Sequence, residues 1–229
     1  MGLFYGASPP CGFSVSATNL YAGRVITLGT LIAIYLSTSD EMLPILISNG
    51  TNIGLIIEII FAKVLIGIIA GLAIDLLYKK NKQKAQNENI HRLCEHDHCH
   101  CEEGILKSAI THTLQIAVFI LIASIVLNII FALIGEELIA NFIANKKILA
   151  PIIACLIGLI PNCASSVVLT QIFVNGIINI GTLIGGLLVN SGLGLMVLFR
   201  VNKNFKENLK IIGWLYLIGV LSGIIIEII

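Results

Sequence analysis

The sequence predicts an all-α membrane protein made of inverted-topology repeats with broken or re-entrant helices. Three observations carry that expectation. First, 57% of the 229 residues are hydrophobic and only 12% are charged, with a mean hydropathy of +0.97; soluble domains carry about a quarter charged residues. Second, one stretch occurs twice. Pro9-Pro10-Cys11-Gly12-Phe13-Ser14-Val15, Thr18 and Gly29-Thr30-Leu31-Ile32 return, without a gap, as Pro161-Asn162-Cys163-Ala164-Ser165-Ser166-Val167, Thr170 and Gly181-Thr182-Leu183-Ile184. About fifteen of roughly forty positions from Gly6 to Leu46 are identical to those 152 residues later, and most others are apolar in both copies. Duplication on an apolar background is the mark of a repeat-built transporter. Third, the basic loops fall so that the two copies point in opposite directions, as the chain order makes plain.

Residues 1–22 are apolar but broken by Pro9-Pro10 and Gly12, too short for the roughly 20 residues a spanning helix needs. They read as a re-entrant half-helix, whose freed backbone must be buried in protein or line a cavity. Val25 to Ile47 is a first span, interrupted by Ser37-Thr38-Ser39-Asp40-Glu41 and Pro44. After the turn Asn49-Gly50-Thr51-Asn52, Ile53 to Tyr78 is a second span carrying Glu58, Lys63 and Asp75. Residues 79–107 form a polar basic loop, and Ser108 to Gly135 a third span with His112 near its start. Glu136 to Lys147 reads as an interfacial amphipathic segment. Ile148 to Ile160 and Ala164 to Asn175 flank the second Pro-x-Cys and form a re-entrant hairpin. Ile177 to Phe199 is a fourth span, Arg200 to Lys210 a second basic loop, and Ile211 to Ile228 a fifth span.

Short loops rich in Lys and Arg stay in the cytoplasm. That puts loops 79–107 and 200–210 inside, and the uncharged turn at 48–52 outside. The span after the first Pro-x-Cys then runs outward and its counterpart inward, with the C-terminus outside. The expected organisation is a first repeat over 1–78, a cytoplasmic Cys/His-rich loop over 79–107, and a second repeat over 108–229. The second copy is preceded by a full span and the first by nothing, so an N-terminally truncated form is expected. The expected location is the cell membrane, multi-pass. No secretory signal opens the chain, no basic patch interleaved with aromatics suits nucleic acid, and the six Cys do not form a secreted disulfide scaffold. Nothing in the sequence points to an enzyme or to a tightly bound cofactor. The bilayer and an inorganic ion are the expected partners, and a homo-oligomer is compatible with both.

Broken helices of repeat transporters meet near the midplane and coordinate cargo with their open ends. Candidate ligands are Cys11, Ser14 and Thr18 in one copy, and Asn162, Cys163, Ser166, Thr170 and Asn190 in the other. Thiols and hydroxyls suit a soft or borderline metal or a thiophilic metalloid. The plain alternative is that small residues allow close packing while Ser and Thr tie off local carbonyls. Asp40 and Glu41 fall inside an apolar stretch, where a carboxylate is costly; Gly192 and Leu193 stand at the matching positions. They are candidates for binding a cation or carrying a coupling proton, unless the span ends near Thr38 and leaves them at the interface. Glu58 and Lys63 lie five apart, on different faces, so each snorkels or reaches another helix; Asp75 reads as interfacial. The loop gathers His91, Cys94, His96, His98, Cys99, His100 and Cys101. That composition suits soft transition metals, but its spacing is not that of a structural zinc finger. It reads as a collector or sensor of metal, separate from the translocation path.

The stretches Cys11-Gly12-Phe13-Ser14-Val15, Gly29-Thr30-Leu31-Ile32-Ala33, Ser39-Asp40-Glu41 and Ile160-Pro161-Asn162-Cys163 resemble the ten-helix heavy-metal exporters, whose members are labelled manganese transporter or arsenic efflux protein. The resemblance covers nearly the whole chain. It implies an integral membrane protein that exports a heavy metal or metalloid. The chain departs from the family pattern in lacking the N-terminal helices, and in Ala164, which stands where a second Gly would follow Cys. Two further readings use the same residues: a membrane thiol–disulfide relay through Cys11 and Cys163, and a metal sensor that uses the loop alone.

Overall fold

The computed structural model describes residues 10–38, 42–78, 149–202 and 204–228, with the helical residues Leu114, Val118, Leu121, Ile122, Ile125, Val126 and Ile129 between them. Every bounded element among these is a helix: α1 (Pro10–Ala22), α2 (Leu28–Ser37), α3 (Met42–Ser48), α4 (Ile53–Tyr78), α5 (Leu149–Gly158), α6 (Cys163–Val174), α7 (Ile180–Val189), α8 (Gly194–Val201) and α9 (Phe205–Ile228). Asp40, Glu41, residues 79–107, His112 and Glu136–Lys147 lie outside the described residues, as does the side chain of Cys11.

Four stretches are long and apolar enough to cross a membrane: Leu28–Ser48, Ile53–Tyr78, Ile180–Val201 and Phe205–Ile228. Two of them are continuous helices and two are broken. α4 turns a row of Ile57, Phe61, Ile68, Leu72 and Leu76 outward, as a helix facing lipid tails must. It buries Ile56, Ile59, Lys63, Gly67, Gly71 and Ile74. α9 buries Asn208, Ile211, Leu215, Gly219 and Gly223. The spacing of three and four residues is that of one helix face, and 152 residues separate Ile56 from Asn208, Lys63 from Leu215, and Gly71 from Gly223. The bounds of α2 and α7 differ by the same number, and so do the starts of α3 and α8 and of α4 and α9.

Each half pairs a broken helix with a long one through small residues, the means of close approach between helices in lipid. A Cβ on Gly71 would stand 2.7 Å from the Gly29 carbonyl oxygen and 2.8 Å from Ala33 Cβ, and one on Gly181 would stand 2.7 Å from the Gly223 oxygen. α7 is the centre of the described helices, with every residue from Gly181 to Val189 buried. It packs on α9, α5, α6 and α2. The halves also exchange short helices: α1 packs on α8, and α3 on α6.

Three expectations need correcting. The fourth span is not continuous. It breaks at Asn190–Leu193, where Gly192 takes a left-handed φ of 56° and donates its N–H to Asn190 Oδ1 at 2.9 Å, a local turn that stops α7. The chain around Gly12 does not break. α1 runs from Pro10 through it, because proline at a first helical turn lacks only an N–H that has no helical partner. The final helix starts at Phe205, six residues before the expected Ile211, so Lys206 and Lys210 lie on a helix and not in a loop.

Candidate functional site

Matched carboxylates anchor the outer ends of the broken helices. Asp75, in the last turn of α4, accepts hydrogen bonds from Thr27 Oγ1 (2.6 Å) and from the Gly29 N–H (3.1 Å) at the start of α2. Glu227, 152 residues later, accepts from Asn179 Nδ2 (2.6 Å), the Thr182 N–H (3.0 Å) and Thr182 Oγ1 (3.2 Å) at the start of α7. A carboxylate at a helix N-terminus takes up orphan N–H groups and complements the dipole. Asp75 is therefore half-buried and bonded to its neighbour helix, not simply interfacial. A ten-residue helix rises about 15 Å and so covers about half of a hydrocarbon core of roughly 30 Å.

The break between α7 and α8 is where polar side chains from both halves gather. At its start, the buried Asn190 donates from Nδ2 to Ser165 Oγ of α6 at 3.1 Å. At its end, the Gly194 carbonyl accepts from Thr18 Oγ1 of α1 at 3.2 Å. Thr18 Oγ1 also shares a 2.5 Å hydrogen bond with Tyr35 OH of α2 and donates to the Ser14 carbonyl at 2.7 Å. Gly194 lets α1 and α2 come this close: a Cβ there would stand 2.9 Å from both Ser14 Cβ and Tyr35 Cε1. Between these contacts lies Ser191, 1% exposed, whose Oγ has no hydrogen-bond partner among the described residues. A buried hydroxyl left so costs about 1–3 kcal/mol, and such groups in native proteins call for a functional explanation.

The structure thus brings Ser14, Thr18 and Asn190 to one place. Asn162, just before α6, and Ser166 and Thr170 along it are buried nearby, and Cys163 is half-buried at its start. Ser166 Oγ donates to the Cys163 carbonyl (2.8 Å) and Thr170 Oγ1 to the Ser166 carbonyl (2.7 Å). These bonds tie off the helix's own backbone, as the packing alternative expects, and leave the hydroxyl lone pairs to accept. Among the described residues no three His, Cys, Asp or Glu side chains converge on a metal position. A largely apolar cleft of about 440 Å³, lined by Pro161, Met196, Phe199 and Arg200, opens beside the second Pro-x-Cys and the end of α8.

The other break follows α2. Thr38 Oγ1 donates to the Ile34 (2.7 Å) and Tyr35 (3.0 Å) carbonyls. Lys63, 2% exposed, reaches over from α4 and donates from Nζ to the Thr38 carbonyl at 2.5 Å.

Sequence reasoning did not single out Tyr35, Lys63, Ser165 or Ser191 as site residues. Tyr35 and Lys63 have no polar counterpart in the other copy, since Leu187 and Leu215 stand there. For Asp75 a signal existed: carrying the 152-residue register past Leu46 pairs Gly67 with Gly219, Gly71 with Gly223, and Asp75 with Glu227.

No curated protein and no solved structure matches the chain. A family model described as "Putative, 10TM heavy-metal exporter" matches residues 84–204, more than half of the 229, taking in the Cys/His tract, the second Pro-x-Cys and the α7–α8 break. The chain belongs to that family of membrane proteins.

Proposed function

We propose that the chain exports a metalloid or heavy metal by alternating access, with two inverted halves closing around the α7–α8 break. The observation that carries the reading is the break itself: a buried, interrupted backbone, polar side chains from both halves, and between them Ser191 Oγ, which has no hydrogen-bond partner among the described residues. Non-helical backbone at membrane depth is tolerated where it is buried in protein or lines a cavity, and discontinuous helices are the usual seat of transported ions. Inversion is supported by contacts between the halves. Tyr78, at the end of α4, lies beside Trp214 in the first half of α9, with Nε1 to OH at 3.5 Å. Glu207, in the first turn of α9, pairs with Arg24 at 2.8 Å and with Tyr21, at the corner joining α1 to α2. Such contacts are those expected of matched long helices that run in opposite directions.

The described ligands at this break are hydroxyls, amides and carbonyls, with a thiol at the start of α6. That set suits a neutral, hydroxylated and thiophilic species such as arsenite better than a bare divalent cation, which would need more negative charge to offset dehydration. Manganese bound through Asp40 and Glu41 is the competing reading. The tract from His91 to Cys101 would gather metal on the cytoplasmic side, and the cleft at Arg200 would lead from that side to the break.

The test is accumulation in inside-out vesicles, with arsenite and manganese offered separately. Arsenite should accumulate, and both Asn190→Leu and Ser191→Ala should cut its rate at least tenfold while protein level is unchanged. Accumulation of manganese alone, with both variants at the wild-type rate, would overturn the reading.

A further inference from the structure

Among the described residues, the two breaks differ in one charged group. Lys63 is the only charged side chain in the buried stripe of α4, and its ammonium sits on the Thr38 carbonyl, where α2 ends. The C-terminal end of a helix carries unsatisfied carbonyls and a negative partial charge. In broken-helix transporters such ends coordinate coupling cations. At the matching position of α9 stands Leu215, 0% exposed, so the second break receives no such group. A lysine buried midway along a spanning helix needs a reason, since intramembrane charge is costly and generally functional. Snorkelling does not supply one here: the ammonium is turned inward, onto the break.

We propose that Lys63 is a built-in cation of the first break. Its ammonium occupies the carbonyl position that a bound sodium or potassium ion would otherwise take, and it holds the end of α2 to the middle of α4 without an inorganic coupling ion. The first break is then the fixed side of the molecule and the second the side open to cargo. This division rests on the export reading; the occupancy of the carbonyl position does not.

The experiment is thermal unfolding of the purified full chain in detergent, at one ionic strength, in sodium, potassium, tetramethylammonium or n-propylammonium chloride. Wild type should melt at the same temperature in all four salts. Lys63→Ala should melt roughly 5 °C lower or more, given about 2–4 °C per kcal/mol for a chain of this size. n-Propylammonium, the group the substitution removes, should restore at least half of that loss, and tetramethylammonium, which has no N–H to donate, none. A wild-type melting temperature that rises with sodium or potassium, or a loss that n-propylammonium does not repair, would overturn the proposal. If Lys63→Ala does not fold, Lys63→Met and Lys63→Arg decide: Met should melt well below Arg, and equal melting would overturn it. The same salts in the vesicle assay separate the two readings. Absence of any transport would count against export and leave the thermal result standing. Transport that needs sodium would contradict Lys63 as the resident cation.

Discussion

The halves of this molecule share a skeleton and differ in what fills it. In both, a ten-residue helix starts at a carboxylate, packs through glycine on a long helix, and stops near the middle of the span. Around that frame the first half holds charge and bulk: Lys63 under the break, Tyr35 beside it, and Ala33-Ile34 on the half-buried face of α2. The second half holds Leu215, Leu187 and Gly185-Gly186, and its glycines admit α5, so that a Cβ on Gly158 would stand 2.2 Å from the Gly186 oxygen. Even the turns before the short helices diverge at one register position. Gly176 takes a φ of 72° at no cost, whereas Arg24 takes 59°, a strained value for a side chain that its pairing with Glu207 helps to hold. The matched features are those that build helices in a membrane. Of the unmatched ones, Lys63 and Tyr35, with Leu215 and Leu187 in their places, sit beside the breaks, where chemistry would require two similar sites to act differently.

Substitutions at matched positions break or sharpen that comparison. The largest effect belongs to the glycine contacts. Gly71→Leu and Gly223→Leu should each abolish recovery of monodisperse protein on size exclusion, a loss above about 4 kcal/mol. Gly71 should be the less forgiving toward Ala as well, because its Cβ would meet atoms at 2.7–2.8 Å, against 3.1–3.2 Å for Gly223. Next come the carboxylates. Asp75→Ala and Glu227→Ala should each lower stability by about 1.5–3 kcal/mol, the value of hydrogen bonds to a charged group. Paired melting curves should give similar losses; a loss confined to one would mean that the frame is not shared. A smaller and more telling contrast lies at the second break. Ser165→Ala should cost about 1 kcal/mol by orphaning Asn190 Nδ2, whereas Ser191→Ala should be neutral or slightly stabilising while still reducing transport. The smallest effect is Arg24→Ala, about 0.2–1 kcal/mol for a partly exposed pair; alanine keeps the Cβ and with it the strain of the positive φ.

Much of this frame was legible in the sequence because it is repeated there. Cys11/Cys163, Thr18/Thr170 and Gly29/Gly181 set the register, and hydropathy set the long helices. The break after Val189 was missed because Asn190-Ser191-Gly192 carries no charge and lies in an otherwise apolar run. Its matching segment was noticed for Asp40 and Glu41, and the shared Ser39/Ser191 was the cue that joined them. The start of α9 was missed because Lys206 and Lys210 read as loop, yet long basic side chains at a helix end reach the interface while the backbone stays helical. Lys63 could not be assigned from sequence: its partner is a backbone carbonyl 25 residues away, and backbone atoms leave no trace in residue identity.

The account depends most on opposite orientation of the matched halves. The direct measurement is labelling of single cysteines in intact cells with a membrane-impermeant maleimide, in a chain with its native cysteines replaced by serine. Asn52→Cys, in the α3–α4 turn, and Asn204→Cys, in the matching α8–α9 turn, report the two halves. The account predicts that Asn52→Cys is labelled from outside and Asn204→Cys only after the cells are permeabilised. Labelling of both from the same side would contradict it.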